Sequence, residues 1–86
     1  WVAYHVDGIA FVKQFLVEEG EYPDFGCNVE VYTNADMLEL ETIGPLKVIE
    51  PSGSIEHAEY WSIFDVGQLT HEPNDITERL GALIPK

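Results

Sequence analysis

Two glutamates stand two positions apart in a segment that has the alternation of a β-strand. Glu39 and Glu41 alternate with Leu38 and Leu40, so the two carboxylates share one face and lie about 7 Å apart. Carboxylates at this separation raise each other's pKa and can divide the roles of acid and base. Two glutamates on the wet face of a sheet have the same spacing, and this ordinary arrangement stays open.

A second pair, His57 and Glu59, has the same spacing. An imidazole titrates near neutrality, and a neighbouring carboxylate makes it an effective proton carrier. The two side chains also offer two metal ligands, but no third ligand stands at a recognisable spacing. We therefore predict no metal site and no cofactor. A surface ion pair beside Trp61 is the alternative interpretation of this pair.

The aromatic residues form a third candidate group. Two Trp, four Tyr and four Phe are present, and Trp61 stands two positions after Glu59. Carbohydrate sites stack flat rings on the apolar face of a sugar and bind its hydroxyl groups with carboxylates. A β core is also rich in aromatic residues, so this composition fits both interpretations.

Length and charge exclude several classes of protein. The chain has 86 residues, enough for one domain, with four Lys and Arg against sixteen Asp and Glu and a net charge of -12. It therefore lacks the basic patch that binds nucleic acid or an anionic membrane surface. No apolar run approaches the roughly 20 residues of a membrane helix. With one cysteine, Cys27, and no recognisable signal peptide, we predict a cytoplasmic protein.

The first 66 residues alternate as strands and turns do. Asp7-Gly8 fits a two-residue hairpin turn, and the strand that follows is apolar on both faces, as in the interior of a sheet. The predicted strands are 1–6, 9–17, 27–33, 37–43, 46–49 and 55–64. Six short strands predict an all-β, mostly antiparallel fold that forms part of a β-sandwich.

Residues 67–86 form a C-terminal extension of different character. Apolar residues recur at helical spacing from Ile76 to Ile84, and Pro85 stops the pattern. Asn74 or Asp75 is suited to the N-cap position. We predict one short helix over 76–83.

Several short motifs follow one another in the second half of the β segment. They are Leu40-Glu41-Thr42, Pro45, Val48-Ile49-Glu50-Pro51-Ser52-Gly53-Ser54, His57 and an aromatic-ended strand to Phe64. In this order they resemble the C-terminal end of the aldose 1-epimerases of the galactose-mutarotase-like superfamily. The stretch from Tyr22 to Leu46 is closer still to an uncharacterised bacterial family of that superfamily. The resemblance covers about residues 1–66.

The resemblance implies a role for particular residues. Glu41 matches the general base that takes the proton of the anomeric hydroxyl group, and His57 matches a last-strand histidine that is not the catalytic acid. We predict Glu39, His57 and Trp61 as substrate-binding neighbours of Glu41. The family's acid histidine lies upstream of anything in this sequence, so we expect the chain alone to be catalytically inactive. Ser52 and Ser54 depart from the family's turn.

The resemblance also implies an incomplete fold. The chain matches about the C-terminal third of a larger sandwich, and strand edges left open invite pairing with a second copy. We therefore expect a homo-oligomer. The alternative from another class is a non-catalytic β-sandwich module for glycan binding or protein assembly. A calcium site ranks last, because no loop has the alternating Asp and Asn of a dedicated site.

Overall fold

The computed structural model describes residues 1–85, which form five strands, one helix and two sheets. A mostly antiparallel β fold with one short C-terminal helix is therefore confirmed. The elements are β1 (Val2–Val6), β2 (Ile9–Phe15), β3 (Val29–Thr33), β4 (Leu38–Thr42), β5 (Glu59–Asp65) and α1 (Pro73–Leu83). One sheet has the order β1-β2-β5, and the other pairs β3 with β4.

The chain divides into two compact units. The first unit contains Trp1–Gln14 and the chain from Tyr60 onward, and the second unit is Phe15–Glu59. The three-stranded sheet and α1 lie mostly in the first unit, and the β3–β4 hairpin lies in the second.

The first hairpin follows from its turn residues. Asp7 and Gly8 have φ values of 51° and 79°, which a type I′ turn requires and which glycine and aspartate tolerate best. The turn sets an antiparallel register in which Val6 faces Ile9. The predicted turn is confirmed, and β2 is the central strand of its sheet, as its two apolar faces predict.

The first unit has a small core between its sheet and α1. The buried residues are Ala10 and Val12 of β2, together with Leu80 and Ile84 at the end of the helical stripe. In the register of the hairpin Ala3 faces Val12 and His5 faces Ala10, so these four side chains share the sheet face that holds the core. Ala3, Phe64, Val66, Leu69 and Ile76 pack around it.

Helix α1 begins three residues earlier than predicted. Pro73 occupies the first turn, where its missing N–H group costs nothing. The predicted cap at Asn74 or Asp75 is wrong, because Glu72 is the N-cap residue and makes no side-chain cap. Asp75 lies in the first turn instead, where its charge favours the helix dipole and its carboxylate accepts the Thr70 hydroxyl.

Two predicted strand segments have no regular structure. Residues 46–49 form no strand, and β5 begins at Glu59, four residues after the predicted start. Pro45 and Pro51 flank the first segment and lack the N–H groups that a ladder requires. Val48 is 90% exposed. The apolar segment 46–49 therefore has no neighbouring strand to pair with and forms no strand.

The second unit contains none of the four core residues. Within its part of the described chain, only Pro45 is buried. Its hairpin is fixed by the Asn34 side chain, whose Oδ1 accepts the N–H groups of Asp36 and Met37 at 2.8 and 2.9 Å. A two-stranded hairpin without a covered face is marginally stable in water. The hydrogen bonds of Asn34 and the ion pair of Lys47 with Glu18 therefore contribute to holding this unit.

Candidate functional site

Four polar side chains share one face of the β3–β4 hairpin. Glu41 faces Glu30 across the two strands, and Glu39 faces Tyr32. Directly opposed residues of an antiparallel pair point to the same side of the sheet. We call Glu30, Tyr32, Glu39 and Glu41 the acidic face. Both candidate carboxylates, Glu39 and Glu41, therefore lie on one exposed surface.

The carboxyl groups of the acidic face interact in pairs. A hydrogen bond with Glu41 raises the pKa of Glu39 above its ordinary value, and desolvation and the Glu41 charge add to it. A hydrogen bond with Asp24 is the largest cause of the raised pKa of Glu30. Only a protonated carboxyl can donate to a carboxylate, so the partner carboxylate stabilises the protonated form of Glu39 or Glu30.

The opposite face of β4 holds a different polar group. Thr42 Oγ1 lies 2.7 Å from His57 Nε2 and donates to Glu59 Oε2 at 2.5 Å. A hydroxyl group has one proton, so while it donates to Glu59 it accepts from the imidazole. The Nε2 atom of His57 therefore bears hydrogen in this arrangement. We call His57, Thr42 and Glu59 the hydroxyl bridge.

The surroundings of His57 fix its ring by contact. The Phe15 ring lies 6.2 Å from it at a tilt of 54°. Gly44 passes close to the imidazole, because a Cβ atom at this position would lie 3.2 Å from Nδ1. His57 lies outside any strand, so the predicted sharing of one strand face with Glu59 is wrong. The two residues meet through Thr42 instead.

The structure separates the four predicted site residues. Glu39 and Glu41 lie together on the acidic face, whereas His57 bonds to Thr42, whose side chain points to the other side of β4. Trp61 belongs to the first unit. There it makes an edge contact with Phe11 at 5.5 Å, and the Lys13 ammonium lies 5.6 Å from its ring.

The residue that sequence reasoning missed is Thr42. Period-2 alternation puts Thr42 on the face of β4 opposite to Glu41. This alternation was the one feature of the sequence that could have predicted its position. Its partners come from a segment 15 and 17 residues further along, and no local pattern specifies such a contact.

A small cleft of about 180 Å³ opens beside His57 in the second unit. It is lined by Glu18, Gly44, Pro45, Lys47, Ile55, Glu56 and His57. Lys47 is paired with Glu18 at 2.9 Å. Pockets for small organic ligands usually enclose about 300–1,000 Å³, so this cleft accommodates only part of such a ligand.

Residues 1–85 contain neither a metal-binding cluster nor a helix that could span a membrane. No three His, Cys, Asp or Glu side chains in this range are arranged to hold a metal ion. None of its helical structure combines the length and the apolar character needed to cross a bilayer.

Comparisons with known proteins do not assign the chain to a class. No protein-family model matches it, and neither a curated protein nor a solved structure matches it.

Replacing Thr42 by Val keeps the shape of the side chain and removes the hydroxyl bridge. We expect the free energy of unfolding of the second unit to fall by about 1–2 kcal/mol, because two hydrogen bonds are lost. Urea titration followed by NMR signals of β3 and β4 measures this. The control is Thr42→Ser, which keeps the hydroxyl group and should retain the Nε2–H form of His57 in ring ¹⁵N spectra. Equal stability of the two variants would contradict the bridge.

Replacing Glu39 by Gln should stabilise the protein at neutral pH. The raised pKa means that the folded state binds more protons than the unfolded state, so stability falls as pH rises from the ordinary glutamate pKa through the raised value. The amide removes this penalty and still donates to Glu41. The advantage of Glu39→Gln should therefore shrink as the pH falls towards 4.

The control for this substitution is Glu78→Gln, at an exposed position of α1, because it removes the same unit of charge. Urea denaturation of both variants at several pH values between 4 and 8 makes the comparison. An advantage of Glu39→Gln that does not change with pH would show that the two carboxyl groups are not coupled.

Proposed function

We propose that the chain is the closing β segment of a carbohydrate-binding, mutarotase-like sandwich, with the acidic face as its sugar contact. The observation that supports this most is the register of β3 and β4. It sets the Tyr32 ring, 53% exposed, directly opposite Glu39 and on the same side as Glu41.

This combination of groups suits a pyranose. The sugar ring has one apolar face formed by its C–H groups, which packs against an exposed aromatic ring. Its hydroxyl groups donate to carboxylates, and such bonds to a charged acceptor are stronger than neutral ones. Opposed positions in an antiparallel pair have Cβ atoms about 5 Å apart, so one sugar can contact both Tyr32 and Glu39.

In this proposal Glu41 accepts a proton from the sugar. Mutarotation removes the proton of the anomeric hydroxyl group and delivers a proton to the ring oxygen, so it needs a base and an acid. Glu41 matches the base of the aldose 1-epimerases in the resemblance. His57 bonds to Thr42 on the other side of β4, which argues against His57 as the acid. We therefore propose binding without turnover for the chain alone.

Sugar binding can be tested on the isotopically labelled chain by titrating D-galactose, D-glucose and oligosaccharides and recording ¹H–¹⁵N spectra. We expect shifts confined to β3 and β4, with a dissociation constant in the millimolar range typical of a small exposed site. Tyr32→Ala and Glu41→Gln should each weaken binding about fivefold or more, and Glu78→Gln should not. Mutarotation rates measured with the unchanged chain and with its Glu41→Gln variant should be equal.

Unchanged spectra with every sugar would overturn the carbohydrate proposal. Shifts that survive both substitutions on the acidic face would overturn the assignment of the site.

The alternative function, protein assembly, is favoured by the outer face of the three-stranded sheet. This face is apolar apart from Lys13, whose ammonium lies over the Trp61 ring, and α1 covers only the opposite face. In the register of β1 and β2, Tyr4 pairs with Phe11 and Val6 with Ile9. Trp61 and Ile63 of β5 are 66% and 71% exposed, and Trp61 contacts Phe11. We propose that a second β layer, from another copy of this chain, covers this face as in a sandwich.

The assembly proposal predicts a concentration-dependent dimer. Analytical ultracentrifugation between about 10 and 500 µM should show association, and Ile63→Lys should abolish it by burying an unpaired charge. Val48→Lys is the control, because Val48 is an exposed apolar residue of the second unit. A chain that stays monomeric throughout, or that associates equally with and without the Ile63→Lys substitution, would refute this interface.

A further inference from the structure

A groove in the first unit combines an apolar floor with nitrogen-bearing rings. Trp1, Ala3 and His5 line one side, and Leu69, Thr70, His71, Ile76 and Leu80 line the other. Ala3 and His5 share one face of β1 because side chains alternate along a strand. We call this space, of about 340 Å³, the β1–α1 groove. Its volume lies within the usual range of small-ligand pockets.

A small residue, Ala3, lines the β1 side of the groove. Its methyl group stands between the larger Trp1 and His5, and Leu80 and Ile76 of α1 form the opposing apolar surface. Leu80 is also part of the core, so this surface is held rigidly. The apolar side chains favour a ligand with a compact hydrophobic body.

The lining of the groove differs from the rest of the molecule in its lack of acidic side chains. The chain has sixteen acidic residues and a net charge of -12, yet no carboxylate side chain lines the groove. Its titratable side chains are His5 and His71, and a third ring, Trp1, has an N–H group that can only donate. The lining therefore suits a ligand that accepts hydrogen bonds.

Two of the polar groups are already oriented. His5 Nε2 lies 2.7 Å from the Gly67 carbonyl, which can only accept, so this nitrogen bears hydrogen and the ring is fixed. The Thr70 hydroxyl donates to Asp75 at 2.8 Å and accepts from the Glu72 N–H group at 3.3 Å. This bond holds the Asp75 carboxylate at the first turn of α1.

The two remaining rings are free to bind. Among residues 1–85 neither the Trp1 indole nor the His71 imidazole has a hydrogen-bond partner. We propose that the β1–α1 groove binds a small aromatic monocarboxylate, whose ring lies on Leu80 and Ile76 and whose carboxylate accepts from Trp1 and His71. This site shares no residue with the acidic face and does not depend on the sugar proposal.

Ligands of opposite charge test this proposal, because the net charge of the molecule attracts cations whereas the groove is expected to favour an anion. Benzoate and benzylamine have similar bodies and opposite charges. Each is titrated into the labelled chain at 0.15 M salt, where long-range repulsion is screened. We expect benzoate to shift the signals of residues 3, 5, 69–71 and the Trp1 indole, and to bind at least about tenfold more tightly than benzylamine.

Two variants test the two halves of the site. Ala3→Ile fills the groove and should weaken benzoate about tenfold or more. His71→Leu, at an exposed position, should reduce the preference for benzoate over benzylamine while the fold is kept. The control is Gln68→Leu, an exposed polar residue of the same linker outside the lining. Retained dispersion in ¹H–¹⁵N spectra establishes that each variant is folded.

Three outcomes would overturn the proposal. Benzylamine could bind as tightly as benzoate, the shifts could lie outside the groove, or His71→Leu and Gln68→Leu could have the same effect. Should Ala3→Ile unfold the first unit, the comparison of His71→Leu with Gln68→Leu still decides the question.

Discussion

The packing of Leu80 and Ile84 of α1 on Ala10 and Val12 of β2 is the interaction on which the described structure of the first unit depends. It is the only cluster of buried apolar side chains among residues 1–85. Because α1 covers one face of the sheet, the other face, with Phe11 and Trp61, stays open. The same packing creates the β1–α1 groove, since the helix that closes the core also forms its wall. The small core therefore determines which sheet face α1 covers. It also determines two candidate binding surfaces, the open sheet face and the β1–α1 groove.

The second unit is held in a different way. Polar contacts join several of its segments: the Asn34 side chain closes the β3–β4 turn, Thr42 joins His57 to Glu59, and Lys47 pairs with Glu18. Each such contact contributes little when it is near water. Units with few buried apolar contacts open with a low free energy. Glu39 and Glu41 thus lie in the unit that contributes no residue to the buried core.

Charge divides the molecule into regions with different ligand preferences. Neighbouring carboxyl groups, Asp24 and Glu41, raise the pKa values of Glu30 and Glu39, and the acidic face offers hydrogen-bond acceptors. The β1–α1 groove contains histidine and tryptophan rings and no carboxylate side chain, and it offers donors. In a chain with a net charge of -12, the groove is the exception. Its preference for an anion comes from local hydrogen bonding, which outweighs a distant field screened by salt.

The sequence by itself determined what depends on neighbours along the chain. Asp7-Gly8 specified a hairpin turn, and alternation put Glu39 and Glu41 on one face. Helical spacing identified the apolar stripe to which the buried residues Leu80 and Ile84 belong. Tertiary structure alone decided which apolar segments found a ladder partner, and residues 46–49 found none. It also brought His57 to Thr42 and kept it off the face of Glu41. The physical reason is that turns and alternation are set by local dihedral preferences, whereas strand pairing and side-chain bridges need a partner from a distant part of the chain.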